Sequence, residues 1–308
     1  MRRMPTLWPL LMPLGTTLLR IVPLRVASWI AAAAGEVCFH VQRSRRRAVE
    51  ANLDHIVPAA PATARRRLAR ATFRNFTAIW VDVLRLPLLP PQHVVTLIEP
   101  ASRAAFRAHL NGLLAEGRGV LVVSAHLGAV DIGGAYLSAD GWAVTSVGED
   151  IAPRLFDVWR RYRSSSGLRL LSQRRAAVTA FRALSRGDVV AVVADRAVRG
   201  PAAIVDLCGG RWLMPTGPAA YASKAGVPIV VACLVRQRAD RRYHIVFRSL
   251  PAPGRDPIEI TQAIATAFGE VIAHYPDQWF VFQPGWIAPE SSGAEVPAGS
   301  APLAYRMP

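Results

Sequence analysis

The sequence predicts an α/β fold: a mostly parallel central sheet covered by helices, with apolar N-terminal helices that associate with a membrane. Valine-rich apolar runs recur from residue 119 to residue 250, and helical patterns lie between them. This alternation is typical of parallel strands joined by helices. Two further apolar stretches precede this region and are interrupted by arginine and proline.

The N-terminal stretches predict helices that lie in the membrane interface. Arg20, Pro23 and Arg25 interrupt them, and neither run reaches the roughly 18 to 20 uninterrupted apolar residues of a membrane span. A cleaved secretory signal would be followed by a soluble mature chain. A second apolar run follows instead, which argues against cleavage. Arg20, Arg25 and the arginines at positions 43 and 45–47 would face lipid headgroups. Core helices of a soluble domain are the alternative.

The remaining elements follow from periodicity and composition. Helical spacing predicts a helix over residues 62–86, which the prolines of "PLLPP" end, and further helices over 152–164, 174–186 and 217–225. The predicted strands are "GVLVVSA", "WAVTSVG", "DVVAVVAD", "VPIVVACLV" and "YHIVFRSL". We divide the chain into an apolar N-terminal segment (1–44), an α/β domain (45–287) and a disordered tail (288–308), whose composition forms turns rather than a core.

The charge balance favours an anionic membrane surface as a partner over nucleic acid. The 308 residues include 37 Lys+Arg against 21 Asp+Glu, a formal net charge of +16, and 52% of the chain is apolar. A basic and apolar chain suits a membrane surface. The sequence also lacks the aromatic–basic interleaving of a nucleic-acid surface.

Two predicted strands end in charged residues, and ligands of open α/β sheets bind at the carboxyl ends of strands. The first strand ends at His126, with Gly128 placed to turn the chain and Asp131 in the first turn of the next helix. A carboxylate beside His126 would set the tautomer of the imidazole and leave the other ring nitrogen to accept a proton. The alternative is an Asp favoured by the helix dipole beside an incidental histidine.

The second charged strand end is Asp195-Arg196. Arg196 is a candidate for holding a phosphate, with Asp195 orienting it, and a structural ion pair is the alternative. Thr216 and Gly217 precede a small-residue helix and either present amides to an anion or form an ordinary N-terminal cap. We interpret Trp279, Gln283 and Trp286 as core or interface anchors.

Several reaction classes have no motif in the sequence. It contains no GxSxG nucleophile elbow, no GxxxxGKS/T phosphate loop and no GxGxxG dinucleotide fingerprint. Cys38, Cys208 and Cys233 are far apart and show no metal-ligand spacing, so we predict neither a metal nor a cofactor.

The strand, "SAHLGAVD" and the helix that follows together resemble the HX4D/E signature of bacterial glycolipid acyltransferases. These are the late acyltransferases of lipid A biosynthesis and the phosphatidylinositol mannoside acyltransferases. Three further blocks resemble the family in order and spacing: "RRRAVEANLDHIVP", the segment that runs from "GDVVAVVADR" to "GVPIVVA", and "HYPDQWFVFQPGW". The resemblance covers most of residues 20–287.

The resemblance implies a membrane-associated enzyme. We expect a monomer, which the apolar N-terminus and the arginine surface would hold at the cytoplasmic face of the cell membrane. It would move an acyl chain from acyl-CoA or acyl carrier protein to a glycolipid hydroxyl, with His126 as general base and Asp131 orienting it. A glutamate thought to assist catalysis in the phosphatidylinositol mannoside branch best matches Ile204, and Asp206, two residues on, is a substrate-binding candidate in its place. A pseudoenzyme of this fold and a non-catalytic basic binding protein are the alternatives.

Overall fold

A six-stranded sheet forms the centre of the computed structural model, which describes residues 8–148, 167–198, 200–237, 242–250 and 256–288. The strands are β1 (Val120–Ser124), β2 (Val144–Gly148), β3 (Arg169–Ser172), β4 (Val189–Val193), β5 (Ala202–Leu207), β6 (Gly210–Pro215), β7 (Ile229–Arg236), β8 (Tyr243–Leu250) and β9 (Trp286–Ile287). The central order is β3-β2-β4-β1-β7-β8, and only β8 runs antiparallel to its neighbour. The predicted fold class is confirmed.

Helices and short 3-10 turns cover this sheet, and further helices precede it at the N-terminal end of the chain. The α-helices are α1 (Trp8–Leu18), α2 (Leu24–Val41), α3 (Arg43–Ile56), α4 (Ala62–Arg85), α5 (Pro91–Thr96), α6 (Pro100–Leu114), α7 (Val130–Ala139), α8 (Gln173–Ser185), α9 (Gly217–Ala225) and α10 (Pro257–His274). Turns of 3-10 helix occupy Leu86–Leu88 and Pro276–Gln278.

The central strand β1 is buried on both faces, which explains its unbroken apolar sequence. Leu121 and Val123 pack into one core cluster, while Val120 and Val122 pack into a second cluster on the opposite face. Successive side chains of a strand point to opposite faces, so a strand covered on both sides needs apolar residues at every position.

The five predicted strands are present, and the segment between β4 and α9 holds structure that the sequence reasoning treated as a loop. There β5 and β6 form an antiparallel hairpin, which β9 extends to a second, three-stranded sheet. Cys208 and Gly209 connect the hairpin, both with positive φ. Paired positive φ values are typical of tight hairpin turns. The predicted helix over 152–164 and most of the predicted tail lie outside the described residues.

Helix α2 has two different faces. Ala27, Ala31 and Gly35 are buried against α4, where a Cβ on Gly35 would collide with the main chain at Arg74 and with the oxygen of Phe73. The other face of α2 and the neighbouring turns and helix α1 expose large apolar side chains. We call this set the N-terminal apolar surface; it consists of Leu14, Leu18, Ile21, Leu24, Val26, Trp29, Ile30, Val37 and Val41.

Candidate active site

The pairing of β1 with β4 brings the two charged strand ends together. The strands are parallel, and Ser124 lies opposite Val193. Two residues further along each strand, His126 therefore lies beside Asp195, and both side chains leave the sheet on the same face. The amide of Ala194 donates to Ser124 O at 2.9 Å, which continues the ladder up to this pair.

Asp195 is fully buried and accepts hydrogen bonds from nitrogen donors on both of its carboxylate oxygens. Its Oδ1 lies 2.6 Å from Nδ1 of His126. Its Oδ2 accepts from the amide of His126 at 3.0 Å and from Nε1 of Trp279 at 2.9 Å. Its main-chain oxygen accepts from Nε1 of Trp212 at 2.6 Å.

These partners hold Asp195 as a carboxylate inside the protein. Burial by itself would raise the pKa of Asp195, but the charge of His126 and the hydrogen bonds from His126 and Trp279 outweigh it. The pKa of Asp195 therefore lies below its usual range. An ionised carboxylate only accepts, so Nδ1 of His126 carries the shared proton and Nε2 is left as the basic nitrogen.

His126 reaches solvent from this buried support. Its side chain is 30% exposed, whereas Asp195 is completely enclosed. A histidine whose inner nitrogen is held by a carboxylate and whose outer nitrogen is accessible is arranged to take a proton from a bound molecule.

Gly128 makes the turn from β1 into α7. Its φ is +64°, and a Cβ at this position would collide with the main-chain oxygen of Leu234 in β7. The next amide, Ala129, donates to that same oxygen at 2.7 Å. The predicted tight turn at Gly128 is confirmed, and it sets Asp131 in the first turn of α7.

Asp131 lines an open, mostly apolar pocket between α7 and the sheet. Ser124, the last residue of β1, also lines it, and apolar side chains make up most of the remaining wall, among them Val122, Leu137 and Leu234. Sequence reasoning assigned the contact with the imidazole to Asp131, whereas the carboxylate that lies on Nδ1 of His126 is Asp195. That is the main difference between the expected and the observed site.

The other candidate residues lie in three different places. Arg196 is half-buried directly after Asp195. Asp206 is exposed in β5 opposite Arg211, and its main chain bonds to the side chain of Gln262. Ile204 lies in the same strand, so neither it nor Asp206 is the carboxylate position beside His126.

Thr216 and Gly217 begin helix α9, and the Thr216 side chain forms no capping hydrogen bond there. Helix α9 leads directly into β7, which is parallel to β1. Its N-terminus therefore points towards the sheet edge where His126 lies. Whether these two residues bind substrate stays a prediction.

Trp279 belongs to the site, although sequence reasoning interpreted it only as a core or interface anchor. It is buried, as expected of an anchor, but its indole N–H also bonds to the carboxylate of Asp195. A buried tryptophan usually finds an acceptor for its N–H, and that was the available signal. The acceptor itself lies 84 positions away and was not readable from local patterns.

In the described part of the chain, no group of three or more His, Cys, Asp or Glu residues is arranged to hold a metal ion. Cys233 lies in β7 near Asp195, and burial raises the pKa of its thiol to about 12, so it is neutral at physiological pH.

Comparison with known proteins identifies relatives for this site and fold. The model of the bacterial lipid A biosynthesis acyltransferase family matches residues 1–287. A phosphatidylinositol mannoside acyltransferase of Mycolicibacterium smegmatis is 27% identical over 280 residues, which are 89% of this chain and 90% of that protein. The phosphatidylinositol mannoside acyltransferase of Mycobacterium tuberculosis strain H37Rv is 27% identical over 242 residues, 77% of this chain and 76% of that protein.

The family match extends over the N-terminal helices, the central sheet and the His126–Asp195 pair alike, and the resemblance noted from the sequence is confirmed. The chain therefore belongs to the bacterial lipid A biosynthesis acyltransferase family, and it is an acyltransferase.

Proposed function

We propose that this protein transfers a fatty acyl chain from an acyl thioester to a hydroxyl of a membrane glycolipid, with His126 as the general base. The observation that carries the proposal is the pairing of a partly exposed imidazole with a buried carboxylate at the carboxyl edge of the sheet. The thioester donor is acyl-CoA or acyl carrier protein. The acceptor is a glycolipid of the phosphatidylinositol mannoside or lipid A precursor type, in keeping with the names of the relatives and of the family.

In the proposed reaction, Nε2 of His126 removes the proton of the acceptor hydroxyl as its oxygen attacks the thioester carbonyl. The C–O bond forms, the C–S bond breaks, and the imidazolium returns the proton to the departing thiolate. Asp195 keeps Nδ1 protonated and stabilises the imidazolium while it exists. Asp131 adds a second negative charge at this edge of the sheet. Arg196 follows Asp195 and is our candidate for holding a phosphate of either substrate.

The cavity beside α7 supports a lipid donor, and we propose that it takes the acyl chain. Its wall is mostly apolar, and burial of each CH₂ group of a chain would contribute about 0.8 kcal/mol. Asp131 and Ser124 line the cavity at the same sheet edge as His126. A chain held there would bring its thioester end towards the imidazole.

The N-terminal apolar surface supports attachment to a membrane, and we propose that it lies in the interface at the cytoplasmic leaflet. Among the described helices, α2 alone is long and apolar enough to cross a bilayer by length and composition. However, its Glu36 pairs with Arg70 of α4 at 2.6 Å. Arginines 65–67 precede Arg70 in the same helix. A spanning α2 would pull this charged helix towards the hydrocarbon, which is unfavourable. Lying flat, α2 buries its apolar face and leaves the arginines at the headgroups.

The decisive experiment replaces His126 by Ala and measures acyl transfer. Purified protein is incubated with labelled acyl-CoA or acyl carrier protein and a native lipid extract, and the labelled lipid is identified. The rate should fall about 100- to 10,000-fold, the usual contribution of a general base. Circular dichroism and vesicle binding should stay unchanged.

His93, exposed on α5, is the matched control, because His93→Ala removes an imidazole away from the site. Near-normal transfer by His126→Ala would refute the mechanism. Absence of labelled product with both donors in the unaltered protein would instead favour a pseudoenzyme or a basic membrane-binding protein.

A further inference from the structure

The C-terminal strap, which we define as residues 275–282, crosses the ends of the strands that carry the site. The amide of Gly128 donates to the main-chain oxygen of Gln278 at 2.9 Å, and the amide of Phe280 donates to that of His126 at 2.7 Å. Between these bonds, Leu127 and Trp279 form an antiparallel bridge. The strap is therefore paired with the segment that holds His126.

The side chain of Gln278 fastens the strap to β7. Its Oε1 accepts from the amide of Arg236 at 2.8 Å, and its Nε2 donates to the oxygen of Arg236 at 3.0 Å. Because Gln278 is buried, these bonds are protected from water. This attachment fixes the position of the following residue, Trp279.

Trp279 and the amide of His126 both donate to the same oxygen of Asp195, its Oδ2. The indole of Trp279 and the carboxylate of Asp195 are packed in the interior, and the amide of His126 belongs to the main chain. Rotating either donor away from Oδ2 would therefore cost free energy. The second oxygen, Oδ1, is then directed at Nδ1 of His126, 2.6 Å away.

We propose that Trp279 is a positioning residue for acyl transfer: its indole N–H orients the Asp195 carboxylate on the imidazole of His126 and moderates how strongly that carboxylate attracts a proton. This inference rests on the proposed general-base role of His126. Trp279 touches no reacting atom and acts only through Asp195.

The electrostatic part has a definite sign. A hydrogen bond to a carboxylate stabilises its charge and lowers its basicity. Without the indole N–H, Asp195 would attract the proton on His126 more strongly, and the pair would bind its second proton at higher pH. Because the protonated imidazole is no longer a base, the acid limb of the pH–rate profile should then move to higher pH.

In the described part of the chain, the other titratable or charged groups near this edge include Cys233 of β7, Asp131 of α7, Arg196 after β4, Arg236 at the end of β7 and Asp277 of the strap. Cys233 is a neutral thiol at physiological pH because burial raises its pKa. A substitution at Trp279 leaves all of these groups in place, so a shift of the pH–rate profile reports on the altered hydrogen bond to Asp195.

Trp212 provides a closely matched control. It is also a buried indole, and its Nε1 also donates to Asp195, but to the main-chain oxygen rather than to the carboxylate. Trp279→Phe and Trp212→Phe therefore remove the same chemical group and a similar volume from the same neighbour. Only the first removes a donor from the titrating carboxylate.

The experiment compares the pH dependence of kcat/KM for the full-length wild type, Trp279→Phe and Trp212→Phe. For Trp279→Phe we expect the acid limb to move up by about one pH unit and kcat/KM at neutral pH to fall about tenfold or more, the usual range for a hydrogen bond to a charged group. Trp212→Phe should leave the acid limb in place. Benzothienylalanine at position 279, with sulfur in place of the indole N–H, preserves the ring's shape and should reproduce the shift if the Phe variant folds poorly.

A second readout does not depend on turnover. Histidine-labelled protein is titrated with pH by NMR, and the His126 signal is assigned by its loss in His126→Gln. The pH midpoint of this signal should rise in the Trp279 variants alone. An unchanged midpoint and acid limb in both Trp279 variants, or an equal shift in Trp212→Phe, would overturn the inference. Failure of the proposed function is distinguishable, because the wild type would then form no labelled lipid, or His126→Ala would transfer acyl chains at a near-normal rate.

Discussion

At the scale of single residues, the site depends on Asp195 being a pure acceptor. Three N–H groups converge on its carboxylate: the amide and Nδ1 of His126, and Nε1 of Trp279. The amide of His126 and Nε1 of Trp279 both donate to Oδ2, so the atom at that position must be an acceptor, which an amide nitrogen is not. An ionised carboxylate satisfies all three donors at once, while an amide side chain offers a single acceptor. The burial of Asp195 would be unfavourable for a charge without these partners.

Asp195→Asn should therefore reverse the tautomer of His126. The amide oxygen will occupy the Oδ2 position, because two donors point at it, and the amide NH₂ will face Nδ1. Nδ1 must then accept, Nε2 carries the proton, and the base is lost. We expect kcat to fall about 10³- to 10⁴-fold, with the fold retained. Steady-state kinetics and thermal unfolding measure the two effects.

The matched control for that substitution is Asp188→Asn. Asp188 immediately precedes β4 and pairs with Arg186 at 2.6 Å, away from the carboxyl edge of the sheet. It should transfer acyl chains at nearly the wild-type rate. A comparable loss in both variants would contradict the tautomer argument.

At the scale of secondary-structure elements, the turn between β1 and α7 determines where the site residues point. The chain reverses direction at Gly128 in a left-handed conformation, directly against the main chain of β7. Any side chain there meets both an unfavourable φ and a collision. The HX4D spacing places His126 before this turn and Asp131 after it, at the same edge of the sheet.

Three glycine substitutions separate these two effects. Gly128→Ala suffers strain and collision, and should lower the free energy of unfolding by about 2 to 5 kcal/mol. Gly117, with φ of +78° and open space around it, suffers strain alone, so Gly117→Ala should lower it by about 1 kcal/mol. Gly112 lies in helix α6 with nothing near its Cβ position. Gly112→Ala should therefore raise the free energy of unfolding by about 0.5 to 1 kcal/mol.

Urea denaturation of the three variants gives the measurement. If Gly128→Ala were no less stable than Gly117→Ala, the close approach of this turn to β7 would not constrain the protein. Because Gly128 lies beside His126, the proposed general base, activity is not the readout for this series.

At the scale of the whole molecule, apolar and basic surfaces are arranged together at the N-terminal end. The N-terminal apolar surface accounts for nine of the twelve large apolar side chains that are markedly exposed in the described part of the chain. Arginines of α3 and α4 follow it in sequence, and two of them, Arg46 and Arg66, pack over the ring of Phe39 at the end of α2. This combination supports the proposed attachment to an anionic membrane, with the apolar side chains in its interior and the arginines at its headgroups.

Charges placed in the apolar surface should weaken membrane binding. Trp29 is 73% exposed and Val37 is 60% exposed, both on the outer face of α2. The double substitution Trp29→Glu, Val37→Glu should reduce co-sedimentation with anionic vesicles about tenfold or more, because it removes the burial of two apolar side chains. Ile258→Glu, at a 55% exposed position on α10, is the control and should bind like the wild type.

Equal binding by the double variant and the wild type would contradict the proposed surface. Extraction with alkaline carbonate tests the orientation of α2 separately. A helix that lies in the interface should be released from native membranes, whereas retention in the pellet would indicate that it spans the bilayer.

The sequence by itself determined the element types, the strand-end residues and the family resemblance. Continuous valine-rich runs predicted β1, β4 and β7, and the abrupt change at His126 and Asp195 marked both strand ends. Apolar stretches broken near Arg20 and Pro23 predicted two N-terminal helices, and α2 begins directly after Pro23. These features are local, because side-chain periodicity within one element is set by its own backbone geometry.

The tertiary structure alone decided which carboxylate serves His126. Asp131 is near His126 in sequence, and Asp195 is 69 positions away, yet Asp195 lies on Nδ1 because β4 is the neighbour of β1 in the sheet. The same holds for Trp279, which the strap brings to Oδ2. Strand order and strap placement are long-range packing choices, made by burying whole elements against one another, and short-range spacing carries no information about them.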